Sequence, residues 1–290
     1  MSGDTIAPSS GQPAATSLSL SPGEALARMR AAAPLVHNIT NYVVMTPTAN
    51  ALLAAGAAPA MLHAPEEAPE FAAIASALVV NIGTLSAPWL AAMIGSARAA
   101  VAAGRPWVLD PVAGGATAFR REAVAALLAE RPTVVRGNAS EILAAAAGGV
   151  AGRGVDAAHG VADAAGHADA LARRLGAVVV ISGPVDIVTD GTRRVELSNG
   201  VEMLTRVTGT GCTATALIGA FLGAGIAPLE AAVGAMTLIA VAGEIAAAAG
   251  PGAPPRGPGS FAVHLHDALW SITPEELDAR ARLAVVSAAG

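Results

Sequence analysis

The sequence predicts a three-layer α/β/α domain built around a central, mostly parallel sheet. Three observations lead there. Short apolar runs at 77–82 (ALVVNI), 107–110 (WVLD), 133–136 (TVVR) and 177–182 (AVVVIS) are continuous instead of alternating, as strands covered on both faces are. Between them lie 89–103, 121–130 and 163–175, each long enough for a crossover helix, which gives a β-α-β rhythm. No fixed-period repeat or break in composition marks a second domain in the 290 residues.

The remaining elements follow in order. Residues 1–22 lack a basic start and an apolar run, so they read as a flexible tail and not a signal peptide, ahead of a single domain at 23–290. Residues 148–154 read as a loop. Segments 186–189 and 194–197 flank Asp190-Gly191, a favoured tight turn, and predict a hairpin. After Gly209 the chain reads as helical almost to its end, with helices at 216–222, 229–247 and 261–271 and a Pro/Gly-rich connection at 251–258. A last helix is expected at 274–283, because Pro-Glu-Glu is a sound helix start.

Composition narrows the function. Charged residues are 13% of the chain, about half the ordinary ~25%. That excludes a disordered protein and suggests that another subunit covers part of the surface. The formal net charge of -5 argues against a nucleic-acid surface. All 17 basic residues are Arg, so no P-loop lysine, kinase strand lysine or Schiff-base lysine exists, and phosphate charge must be met by Arg, a metal or backbone N–H groups. The single cysteine, Cys212, excludes an internal disulfide and points to a reducing, cytoplasmic setting. Mean hydropathy is +0.55. No membrane span is expected, because 231–243 is short and bracketed by Glu230 and Glu244, and 72–97 is interrupted by Asn81, Gly83, Thr84, Ser86 and Pro88.

Ligands of such folds sit beyond the carboxyl ends of the strands, so strand ends carry the candidate chemistry. Asp110-Pro111 ends one strand; its carboxylate either reaches a metal or caps a turn. Asn138 and Glu141 lie three apart at the start of the next helix. They form a cap in one reading and face hydrated Mg²⁺ in the other. Gly209, Thr210, Gly211 and Cys212 open a long apolar helix, where inward-pointing N–H groups and the helix dipole predict an anion site that needs no lysine. The same position is expected to lower the Cys212 pKa. Residues 37–45 (HNITNYVVM) read as the lining of a small heteroaromatic pocket or as a strand-to-helix junction, and His63 as a loop over it or a solvated helix start. His264 and His266 read as structural, and Trp89, Trp107 and Trp270 as core or interface.

Several of these signals coincide with one family. VHNITNYVVM (36–45), NALLAAGAAPAMLHAPEE (50–67), LVVNIGTLS (78–86), LDPVAGGATAFR (109–120), VRGNASEI (135–142), LTRVTGTGC (204–212) and GPGSF (257–261) closely resemble hydroxyethylthiazole kinase, in order, from about residue 25 to 273. The resemblance implies a ribokinase-like fold and ATP-dependent phosphorylation of the primary hydroxyl of 4-methyl-5-(2-hydroxyethyl)thiazole in thiamine biosynthesis or salvage. It implies Mg²⁺ with ATP and a homotrimer with active sites between subunits. By this likeness Met45 and Gly209 contact the thiazole substrate. Arg120 and Ser182, the latter standing where relatives carry Thr, bind ATP. Asn138 and Glu141, with Asp110 as a second acid, organise the metal, and Cys212 takes the catalytic position that is Asp in most ribokinase-like enzymes. Asn38 departs from the Cys that many relatives carry beside the His. The rival readings are a kinase of the same fold for a pyrimidine or pyridoxal-type alcohol, an acyl-transfer hydrolase pairing Cys212 with His37 or His63, and a non-catalytic nucleotide-binding regulator.

Overall fold

The computed structural model describes residues 17–148, 161–248 and 256–288. The first half runs α1 (Pro22–Ala32), β1 (Leu35–Ile39), α2 (Met45–Ala55), β2 (Ala58–Met61), α3 (Ala68–Ile74), β3 (Ala77–Asn81), α4 (Ala87–Ala102) and β4 (Trp107–Asp110). Then come α5 (Ala118–Ala129), β5 (Val134–Asn138), α6 (Ala139–Ala146), α7 (Val161–Leu175), β6 (Val178–Ser182), β7 (Asp186–Thr189) and β8 (Arg193–Leu197). A 3-10 turn (Glu202–Arg206) leads into α8 (Thr210–Gly223), α9 (Pro228–Ala247), α10 (Pro258–Ser271), α11 (Pro274–Arg280) and β9 (Leu283–Ser287).

Among the described residues the strands form one nine-stranded sheet of order β2-β1-β3-β4-β5-β6-β7-β8-β9. β2 through β6 are parallel, and β7, β8 and β9 extend the sheet antiparallel. Alternate strand residues face opposite layers. Val79, Val108, Val134, Val178 and Val180 join the core under α1, α2, α8, α9 and α10, while Leu78, Val80, Leu109, Val135, Val179 and Ile181 join the core under α4, α5, α6 and α7. The order reverses at β1, between β2 and β3, which marks the switch point where such sheets open a crevice. The residues that follow or end β1, β3, β4, β5 and β6 there are Asn41, Asn81, Asp110, Asn138 and Ser182.

The strands expected at 77–82, 107–110, 133–136 and 177–182, the hairpin and the crossover helices are present within a few residues of their expected ends. In the hairpin, Asp190 Oδ1 accepts from the N–H groups of Thr192 and Arg193, and Gly191 turns with φ +88°. Helix α9 is long and apolar enough to cross a bilayer by length and composition, but 89% of its apolar window is buried against neighbours that include α1, α8 and α10. It is apolar all round because it is packed all round.

Two expectations need correction. The chain is not helical to its end: α11 stops at Arg280 and the Val-rich segment Leu283–Ser287 pairs with β8. Residues 17–22 of the expected tail are held in place. Ser19 donates to Glu230 through N–H and hydroxyl, and Ser21 caps α1 in a reciprocal box with Glu24 while its hydroxyl donates to Asp278. Residues 1–16, the loop at 149–154 and the connection at 251–255 lie outside the described residues. Trp107 is fully buried and Trp89 nearly so, whereas Trp270 is 73% exposed on this chain.

Helix α8 lies close to the sheet because Gly219 faces it: a Cβ there would stand 2.5 Å from Val79 Cγ2. Gly219→Ala therefore forces the site helix off the sheet. It should cost about 1–3 kcal/mol in urea unfolding and lower kcat together with stability.

Candidate active site

Helix α8 begins without a side-chain cap. Gly209, its N-cap, has φ +88°, and a Cβ there would also meet Val44 Cγ1 at 2.7 Å, so only glycine fits. The Thr210 hydroxyl turns away: its Oγ1 donates to Leu204 O at 2.8 Å and Val207 O at 3.3 Å, which ties the 3-10 turn to the helix start. The first N–H groups of α8 therefore have no side-chain acceptor.

Arg136 reaches this helix start from β5. Its guanidinium lies 2.8 Å from where a Cβ on Gly211 would be, and its Nη2 donates to Ser182 Oγ at 2.8 Å. Arg136 is 9% exposed, and its Nε has no partner in the structure. Beside it opens a cavity of about 650 Å³. One end carries Arg136, Asn138, Ser182, Thr210 and Gly211; the rest is walled by Val201, Leu204, Met236, Ile239 and Ala240. A cationic, N–H-rich end joined to an apolar slot suits a phosphorylated heteroaromatic ligand.

Behind the helix start runs a buried polar chain. Asp110 Oδ2 accepts from Asn81 Nδ2 and Thr215 Oγ1, each at 2.8 Å. Asn81 Oδ1 in turn accepts from Asn41 Nδ2 at 2.9 Å, and Asn41 Nδ2 also reaches Cys212 Sγ at 3.5 Å. Asp110 Oδ1 is buried with no hydrogen-bond partner. Burial lifts the Asp110 carboxyl to about 6; Arg136 opposes that rise, Glu141 adds to it, and Thr215 and Asn81 oppose it. Asp186, on the cavity wall, is likewise lifted to about 6 by burial, against a hydrogen bond from Gly183 N–H and the charge of Arg136. The Cys212 thiol is pushed up by burial and by the Asp110 charge, which outweigh Asn81, Asn41 and Arg136. The lowering expected from the helix dipole is thus overturned by burial and a nearby carboxylate.

The other expected site residues divide. Gly209, Thr210, Gly211 and Cys212 meet at the helix start, and Ser182 meets Arg136 there. Asn138 and Glu141 form a capping box: Asn138 Oδ1 accepts from Glu141 N, and Glu141 Oε2 accepts from Asn138 N at 2.8 Å. Glu141 Oε1 also accepts from Ala113 N at 2.9 Å, across to the loop after β4. Among the described residues no group of three His, Cys, Asp or Glu forms a ready metal cage. The donors present fit a hydrated Mg²⁺ instead, since that ion takes one or two carboxylates plus waters and phosphate oxygens, and Asp110 offers an unpartnered oxygen.

Arg120 stands in the first turn of α5. Its guanidinium donates to Ile82 O, Val112 O and Gly83 O at 2.6–2.7 Å, binding together the loops after β3 and β4, and it does not line the cavity. Met45 starts α2, half-buried beside Val44. His37 is buried against Phe71 with Nε2 2.8 Å from Leu62 O, and His63 packs on Trp89 and Tyr42. Neither imidazole is paired with Cys212, as an acyl-transfer dyad requires. His266 Nδ1 and Nε2 lie near Ala262 O and Pro47 O, bracing α10 on α2, and His264 stands by Asp267. The residues here that sequence reading did not single out are Arg136, Asn81 and Asp186. A charged residue inside a strand buried on both faces was the available signal for Arg136.

Comparison with known proteins agrees with this geometry. A sequence profile described as the hydroxyethylthiazole kinase family matches residues 26–275. The hydroxyethylthiazole kinase of Rhizobium leguminosarum bv. trifolii (strain WSM2304) is 54% identical over 265 residues, covering 90% of this chain and 97% of that one. A solved hydroxyethylthiazole kinase protein from Pyrococcus horikoshii OT3 superposes with a TM-score of 0.82 at 42% identity, covering 91% of this chain and 98% of its own. The pyridoxal kinase from Staphylococcus aureus in complex with AMP-PCP and pyridoxal, at 17% identity and a TM-score of 0.62 over 88% of this chain and 99% of that one, shares the ribokinase-like fold. These likenesses place the chain in the hydroxyethylthiazole kinase family.

Proposed function

We propose that this chain transfers the γ-phosphoryl group of ATP to the primary hydroxyl of 4-methyl-5-(2-hydroxyethyl)thiazole. The observation that carries the reading is the uncapped start of α8 beside Arg136, opening on a cavity that is polar at one end and apolar along its walls. Phosphoryl transfer needs positioning and charge stabilisation more than covalent chemistry. The N–H groups of Gly209 to Cys212 hold the migrating phosphoryl oxygens, and a preorganised donor of this kind is worth on the order of 10²–10³ in rate.

Arg136 and Ser182 hold the ATP phosphates. The role first expected of Arg120 passes to Arg136 in this reading, because the Arg120 N–H groups already hold the loops after β3 and β4. The base lies between Met236, Ile239 and Ala240 on one side and Val201 and Leu204 on the other. Asp110 and Glu141, with Asn138, would hold Mg²⁺ when it arrives with ATP, and the ion would supply positive charge against that of the phosphates. Gly209 and Met45 border the thiazole alcohol, whose hydroxyl sits at Cys212 and Asn41. The raised pKa of Cys212 means that little thiolate exists at neutral pH. A loose transition state tolerates this, because the alcohol proton need not leave before the phosphoryl group moves.

Tyr42 and Val43, 65% and 59% exposed next to Asn41, support a homotrimer whose neighbouring copy closes the thiazole pocket. The continuous sheet from β1 to β9 supports reading residues 23–290 as one catalytic domain. The lone cysteine supports a cytoplasmic setting.

A coupled ADP assay tests the function. Turnover is expected with hydroxyethylthiazole and Mg²⁺, and loss of it when Mg²⁺ is chelated; faster turnover of pyridoxal or a hydroxymethylpyrimidine would reassign the substrate. The two arginines are separable in the same assay. Arg136→Met should cut kcat/KM for ATP by about 10²-fold, while Arg120→Met should chiefly lower the melting temperature. For Cys212, any rate that flows through the thiolate climbs as pH rises through the alkaline range. Cys212→Asp should keep or raise kcat at neutral pH and flatten that climb, and Cys212→Ser should lose about tenfold or more. A fully active Cys212→Ser enzyme would show that this side chain takes no proton.

A further inference from the structure

The apolar cavity has two facing walls. One is α9, through Met236, Ile239 and Ala240; the other is the segment after β8, through Asn199, Gly200, Val201, Leu204 and Thr205. One further turn along the same face of α9 stands Glu244, which does not line the cavity. Its Oε1 accepts from Gly200 N at 2.8 Å and from Asn199 Nδ2 at 3.3 Å, so one carboxylate clasps the first residues of the opposite wall. Arg282, just before β9, completes the clasp. Its guanidinium pairs with Glu244 and donates to Ser198 O at 2.9 Å, and its N–H donates to Asn199 Oδ1 at 2.7 Å. Asn199, 6% exposed, also donates to Arg280 O at 2.9 Å.

The next turn of the segment leans on the same helix face. A Cβ on Gly243 would meet the Leu204 side chain at 3.0–3.2 Å. The wall is thus fixed to α9 by packing at Leu204 and by charged hydrogen bonds at Gly200. Thr210 Oγ1 on Leu204 O carries the same segment to the start of α8.

We propose that Glu244 is a positioning residue for the nucleotide: by fastening Asn199 and Gly200 to α9 it sets the width of the slot that receives the base, without touching the ligand. The proposal rests on reading the cavity as the ATP site. Burial alone would raise the Glu244 carboxyl, but hydrogen bonds from Arg282, Gly200 and Asn199 hold it below its ordinary value. The clasp is therefore closed throughout the neutral range.

The test is steady-state kinetics of the full chain with each substrate varied in turn. Glu244→Ala should raise KM for ATP about tenfold, with KM for the thiazole alcohol within about twofold and kcat within about threefold. Glu244→Gln, whose amide oxygen still accepts from Gly200 N, should fall between that variant and the parent, and it carries the test if Glu244→Ala does not fold. Ala240→Phe fills the slot directly and serves as the control on the site. If Ala240→Phe raises KM for ATP while the Glu244 variants stay within twofold, the positioning role is overturned and the ATP site stands. If Ala240→Phe leaves KM for ATP unchanged, the cavity is not the ATP site and both readings fall. Equal rises in both KM values would also overturn the proposal, because a general loosening moves them together.

Discussion

A helix that starts without a cap must find acceptors for its first N–H groups outside itself, and much of this structure follows from that requirement at α8. The helix is held at its start by Gly209 in the left-handed region and from below by Thr215 on Asp110. The Thr210 hydroxyl faces the 3-10 turn. What remains is a fixed array of donors that only a ligand with oxygen acceptors can satisfy. Arg136 adds a full positive charge at the same place, which a chain without lysine needs for a polyphosphate.

Burial of the carboxylates beside that cation outweighs its attraction for them. Arg136 is surrounded by Asp110 and Asp186, both buried, and both carboxyls are lifted to about 6. Their folded pKa values lie above their unfolded ones, so their contribution to stability is fully present below about pH 4 and is lost as pH rises through about 6. At neutral pH the apo chain holds these carboxylates at a cost, and a bound divalent cation would relieve part of it. The orphaned Oδ1 of Asp110 belongs to the same pattern, in which a site is built for a partner and not for stability.

Local signals in the sequence were enough for the parts of the fold that are local. The continuous Val-rich strands β4 and β6, the Asp190-Gly191 hairpin and the glycine-rich start of α8 each announce themselves within a few residues. The order β1, β2, α3 was harder, because β1 carries His37 and Asn38 at buried positions and β2 reads APAM, with little strand preference. β9 was hidden by the helix signal just before it. Within the site, what the sequence hides is non-local. The thiol of Cys212 looks activated when only its helix is considered, but burial, joined by the charge of Asp110 about a hundred residues earlier, pushes its pKa up. Nothing near Arg120 in the sequence shows that its guanidinium meets three backbone carbonyls from two loops. Arg136 looks like the last residue of a strand until Ser182 and Gly211 are found beside it.

The apolar α9 also bears on how the chain is made. Its packing partners α1 and α8 precede it in the sequence, but α10 follows it. As the chain leaves the ribosome from its amino end, a segment greasy enough for a bilayer emerges while one side of its final berth is still missing. Slow synthesis between residues 248 and 258 would prolong that interval, and a chaperone that shelters nascent hydrophobic helices would matter most there.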